Sequence, residues 1–153
     1  MKFRCDGLEL SEAISVVSKA ISSKTTSQIL EGIKIVCAED KLILSATDLE
    51  MSVEKTIRAE VYNAGETVVP GRLFGEYIKK LTNQQIECEL NERNQLKIAY
   101  TDSEGTLQCM EISEFPQIKE VEKDKSLKLI KKTSNNWLIT YTTLLRKMIL
   151  DQF

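Results

Sequence analysis

The chain has 153 residues, 42% hydrophobic and 29% charged, with a net charge of −2; this is the composition of a folded domain rather than a disordered or fibrous chain. Its length suits one compact domain with an appendage and is too short for two full ones. Histidine is absent, which excludes Ser-His-Asp and Cys-His catalysis and the commonest zinc ligand sets, and no apolar run reaches the roughly 18–20 residues of a membrane helix or forms a leader, so the expected location is cytoplasmic, away from membranes.

Phe3 and Cys5 alternate with Lys2 and Arg4, which predicts a short strand over Met1–Asp6. Leu10, Ala13, Ile14, Val17, Ala20 and Ile21 then recur at helical spacing, with Glu9, Glu12, Ser15, Ser18 and Lys19 between them. The pattern predicts an amphipathic helix from Leu8 to about Ser22 whose polar face, two acids against one lysine, fits solvation. Strands over Gly32–Ala38 and Leu42–Ala46 flank Glu39-Asp40-Lys41, which reads as a hairpin turn. Met51–Val61 alternates as one further strand, Gly65 interrupts it, and Thr67–Val69 forms a short strand before Pro70-Gly71.

A second amphipathic helix follows, with Leu73, Phe74, Tyr77, Ile78 and Leu81 as its apolar set. Its other face carries Arg72, Glu76, Lys79 and Lys80, a pattern that fits a solvated surface and an anionic partner equally. Three strands close the region, Ile86–Leu90, Leu96–Tyr100 and Thr106–Ile112, separated by turn-rich Asn91–Asn94 and Asp102–Gly105. Two helices among so many short strands predict an α+β fold, antiparallel sheets with both helices packed on one face. Pro116 marks the exit from that sheet, because it cannot join a ladder from a central position.

The residues that could carry chemistry are few. Cys5, Cys37, Cys88 and Cys109 lie 32, 51 and 21 positions apart, so no C-x-x-C pair exists, and three sit in alternating runs as small core residues. No glycine-rich nucleotide motif occurs, and neither a metal site nor a cofactor is expected. Asp48 and Glu50 are two apart and would share one face of a strand, as a cation site or, with a lysine, as the acids of a small enzyme. Between two strands, however, such residues more commonly serve a turn. Taken alone, the residues define an α+β domain with a mildly basic helix face.

Several segments together resemble the first domain of the bacterial sliding clamps, the beta subunits of DNA polymerase III. They are Met1-Lys2-Phe3, the Leu8–Ile21 helix, Ala46-Thr47-Asp48-Leu49-Glu50-Met51, Val68-Val69-Pro70-Gly71-Arg72-Leu73-Phe74 and Glu114-Phe115-Pro116, in order and spacing over about residues 1–122. One departure is Thr26-Ser27-Gln28-Ile29-Leu30, where the family usually has a Thr-Leu-Pro-Ile-Leu stretch. The resemblance implies a homodimeric ring of six such domains, helices lining the hole and sheets forming the rim, that encloses double-stranded DNA and tethers the polymerase without catalysis of its own. It also implies that Lys24, Arg72 and Lys79 face DNA and that Leu107 lies at the subunit interface. Lys80 joins the DNA-facing set from its place beside Lys79. The family's pocket for DNA polymerase III and clamp-loader peptides lies between its second and third domains, so the expectation is the fold without complete clamp activity.

Residues 123–153 are expected to be a linker and basic tail. Residues 1–124 carry 15 Lys and Arg against 22 Asp and Glu, whereas residues 125–153 carry 6 against 1, with neither glycine nor proline. One reading is an independent DNA-binding module using Lys125, Lys128, Lys131, Lys132, Arg146 and Lys147 as a phosphate arm. The other is an out-of-frame remnant of the second clamp domain, since codons for Lys147–Phe153 read from each third base permit Asp-Asp-Ser-Arg-Pro-Ile, which resembles that domain's opening motif. The coding DNA decides between them: the remnant requires Asp-Ser-Arg-Pro-Ile in the shifted frame, followed by clamp-like sequence.

Overall fold

In the computed structural model, which describes residues 1–21, 27–118, 127–132 and 138–143, one supersecondary pattern occurs twice. The first half runs β1 (Lys2–Asp6), α1 (Gly7–Val17), β2 (Gly32–Ala38), β3 (Lys41–Thr47) and β4 (Ser52–Arg58). After the short β5 (Glu60–Asn63), the second half runs β6 (Gly65–Pro70), α2 (Gly71–Ile78), β7 (Gln85–Leu90), β8 (Gln95–Tyr100) and β9 (Ser103–Gln108). The strands form two antiparallel sheets, ordered β4-β3-β2-β6 and β5-β1-β7-β8-β9. Each half therefore lends its first strand to the other half's sheet: β1 pairs with β7, and β6 with β2. The α+β expectation stands, with the strands divided between two sheets.

Local chemistry explains the elements. Asp6 caps α1, its Oδ1 accepting from the backbone N–H groups of Leu8 and Glu9 at 2.9 and 3.1 Å. Asp6-Gly7-Leu8-Glu9 thus carries a helix-start signal that apolar spacing alone misses. Each helix ends in a single 3₁₀ turn, Ser18–Ala20 after α1 and Lys79–Leu81 after α2. The β2–β3 connection is a two-residue hairpin at Glu39 and Asp40, with φ of 51° and 56°, and Ala38 opposite Lys41. That is type I′ geometry, which matches the strand twist.

Two expected strands differ. The Met51–Val61 run divides at Ala59, whose N–H donates to the Asp40 carbonyl at 3.0 Å; β4 ends one sheet and β5 begins the edge of the other. Alternation continues through the break because both pieces bury one face, so the sequence hides the change of sheet. The last strand is Ser103–Gln108 rather than Thr106–Ile112, and the turn falls at Thr101 and Asp102. Gly105 lies mid-strand because the Tyr77 ring of α2 crosses it, where a Cβ would meet the phenol oxygen. Beyond β9 the Met110 N–H donates to the Val68 carbonyl at 2.7 Å, bridging the outer edge of β6, and a 3₁₀ turn follows at Ile112–Glu114.

The core lies between the sheets and helices, with Phe3, Leu10, Ile14, Ile33, Leu44, Phe74, Ile86 and Ile98 fully or almost fully buried. The helices meet closely: a Cβ at Gly75 would lie 3.2 Å from Ile14 Cγ2. Gly7 at the head of α1 rests on the Leu81 carbonyl just past α2, and its N–H donates to the Gln84 carbonyl at 2.9 Å. Gly71 at the head of α2 packs in turn on Ile21 and the Glu31 carbonyl. The head of each helix is thus wedged against the exit of the other.

Residues 117–153 form a separate unit. Within it β10 (Leu127–Lys132) and β11 (Leu138–Thr143) pair antiparallel, Leu127 opposite Thr143 and Lys132 opposite Leu138.

The glycine contacts predict a graded response. Gly7→Ala drives a methyl into backbone oxygens that cannot swing aside and should cost about 1–3 kcal/mol in urea unfolding. Gly75→Ala meets only a side-chain methyl and gains helix propensity, so it should cost less.

Candidate nucleic-acid interface

On α2, Gly71, Phe74, Gly75 and Ile78 point into the core. Helical geometry then turns Arg72, Leu73, Glu76, Lys79 and Lys80 to solvent, and all five are exposed. The Arg72 side chain is 90% exposed, and its Nε donates to Glu76 Oε1 at 3.2 Å, one helical turn on. Lys79 and Lys80 occupy the 3₁₀ turn, where their charge sits favourably at the helix exit. The sister helix α1 exposes Leu8, Glu9, Glu12, Ser15 and Val16, and its exit turn exposes Lys19, so the basic character belongs to α2 and the turn after it. An open groove of about 1070 Å³ runs beside both helices, lined by Ser15 of α1, Arg72 and Glu76 of α2, Ser18 and Lys79 of the 3₁₀ turns that follow them, and Glu111.

Of the residues singled out from sequence, the fold brings Arg72, Lys79 and Lys80 together on one exposed face. Lys24 lies outside the described residues, as do Lys125, Arg146 and Lys147 of the tail; Lys128, Lys131 and Lys132 fall on β10. Leu107 is half-buried on β9, the terminal strand of the five-stranded sheet, opposite Leu96. Asp48 serves a turn: its Oδ1 accepts from the N–H groups of Glu50 and Met51 at 3.0 and 2.6 Å, and Leu49, between Asp48 and Glu50, takes φ 77°.

All four cysteines are buried and free. Burial pushes the Cys5 thiol up to about 12 and raises those of Cys37, Cys88 and Cys109, which disfavours the thiolate that nucleophilic chemistry uses. Burial, with the Tyr100 hydroxyl 3.5 Å away, also pushes Tyr77 up to about 12. No cluster of Cys, Asp and Glu that could hold a metal ion occurs among the described residues, and no helix among them is long and apolar enough to cross a membrane. What this surface offers is a short row of cations on a rigid helix pair, suited to phosphate contacts that read no base.

Two antiparallel sheets joined by a pair of crossover helices, with cations on the outward helix face, define a DNA-clamp type of domain. The DNA polymerase sliding clamp of Bacillus subtilis has this fold, with a TM-score of 0.79 and 29% identity over 85% of this chain and 36% of that one. A putative DNA polymerase III beta subunit from Eubacterium rectale gives 0.79 and 26% over the same shares. The beta sliding clamps of Staphylococcus epidermidis and Staphylococcus aureus are 36% identical over 126 residues, covering 77% of this chain. The family model for the DNA polymerase III beta subunit, N-terminal domain, matches residues 1–119. The chain belongs to the DNA polymerase III beta subunit family, and it spans about a third of the length of the curated relatives it matches.

The raised pKa values of Cys5 and Tyr77 fix an alkaline limit. Cys5 and Tyr77 stay neutral in the folded state while their unfolded counterparts ionise from the ordinary values of 9.0 and 10.0. Their contribution to stability is therefore intact below pH 9 and is lost as pH rises towards 12. The urea midpoint should fall steadily across that window.

Proposed function

We propose that this chain acts as the first domain of a sliding clamp, a DNA replication processivity factor that contacts duplex DNA without sequence preference and helps tether a DNA polymerase. The single observation that carries this reading is the family match over residues 1–119 together with Arg72, Lys79 and Lys80 on one exposed helix face. In a complete homodimeric ring the helices line the hole and these side chains meet phosphates, with Lys24 adding to the set. Leu107, half-buried on a terminal strand, supplies apolar surface to the subunit contact. DNA polymerase III and the clamp loader engage the other domains, and the site of action is the cytoplasm. The role is mechanical, and no catalysis is assigned to this chain.

A few exposed cations give weak, screened binding. The isolated chain should bind duplex DNA with a dissociation constant on the order of 10⁻⁴–10⁻⁶ M and with the same affinity for unrelated sequences. Arg72→Ala and Lys79→Ala should each weaken it, whereas Lys41→Ala, at the remote β2–β3 hairpin, should not. Removing residues 125–153 should leave binding in place. Fluorescence anisotropy on labelled duplexes measures all of these; equal effects from the three substitutions, or loss of binding with the tail, would reject the helix face.

A further inference from the structure

We propose that Glu76 is a built-in competitor for phosphate on the α2 face, sharing Arg72 with the DNA so that its contact stays partial and loose. This rests on the DNA-facing reading of that helix. The face presents Arg72, Lys79 and Lys80 with one acid among them, and that acid is four residues from Arg72, in hydrogen-bond contact at 3.2 Å. Both partners are exposed, Arg72 at 90% and Glu76 at 60%, so the pair contributes little to stability and can open readily. A fold that needed the pair would bury it or order it through further contacts. Gly71, Phe74, Gly75 and Ile78 fix the helix on its other side.

The chemistry of the exchange is simple. To grip a phosphate, Arg72 must give up Glu76, and the freed carboxylate then stands beside the incoming anion. Each gain at Arg72 thereby creates a repulsion of similar reach. Lys79 and Lys80 have no ion pair among the described residues and supply the contacts that need no exchange. A face built this way holds the duplex backbone without locking to one register, which suits movement along it. The matching position on α1 is Glu12, also exposed but with no ion pair among the described residues, and it provides an internal control of equal charge.

The test is a salt titration of duplex DNA binding by the whole chain between roughly 50 and 200 mM salt. Glu76→Gln should tighten binding about two- to five-fold and steepen the slope of log affinity against log salt by part of the roughly 0.9 that one full phosphate contact contributes. Glu12→Gln should leave the slope unchanged. In the double variant Arg72→Gln, Glu76→Gln the extra slope should vanish, since the cation that gains the contact is gone. An unchanged slope in Glu76→Gln, or an equal change in Glu12→Gln, overturns the inference while leaving the DNA-facing reading intact. Absence of binding by the parent chain and every variant overturns that reading and this inference with it.

Discussion

The exchange of first strands between the two halves is the constraint on which the rest of the domain depends. β1 completes the sheet built by β7, β8 and β9, while β6 completes the one built by β2, β3 and β4. Neither half completes its own sheet: partners lie 28 to 38 positions apart along the chain at the β2–β6 seam and 79 to 87 apart at the β1–β7 seam. Both seams carry a cross-strand ion pair as well: Lys2 reaches Glu87 and Glu89 at 2.9 and 3.3 Å, and Lys34 reaches Glu66 at 2.9 Å. These partly exposed pairs add modestly to stability. Their placement favours the correct register, because Lys2 stands directly opposite Glu89 and Lys34 reaches Glu66 on the diagonal.

The exchange also dictates where the helices go. Each helix begins at the end of a donated strand and ends where the chain must return to the other sheet, so the two become crossovers lying side by side. Glycines at positions 7, 71 and 75 let the heads, exits and middles approach more closely than any larger residue allows. The helices differ in how they sit on the strands. Ala13 lets α1 lie close over β3 and β4, whereas Tyr77, at the matching place on α2, spans the gap to Tyr100 and Gly105 with ring centroids of the two tyrosines 6.2 Å apart.

The rigid helix pair gives the basic residues a fixed outward direction, and their small number sets the strength of what they can do. Three cations and one acid on α2 stand against an acidic face on α1 and an overall charge of −2. Such a surface carries a positive potential that is local to α2 and its exit turn. The terminal strand β9 keeps Leu107 half-exposed, held from behind by its pairing with β8 and the Lys97–Glu104 ion pair at 2.6 Å.

Apolar periodicity in the sequence was enough to determine the two helices, most of the strands and the α+β class, because each element must bury one face and spacing records which. The motifs around Asp48, Gly71 and Pro116 pointed to the clamp family, and the cations at positions 72, 79 and 80 were legible because they fall opposite the buried positions of α2. Only the tertiary structure decided the rest. The break at Ala59, the mid-strand place of Gly105 and the exchange of β1 and β6 all depend on partners distant in the chain, and alternation is identical whichever sheet a strand joins. The pairing of Arg72 with Glu76 likewise required coordinates: four-residue spacing permits such a contact on any helix, but side-chain packing and exposure decide whether it forms.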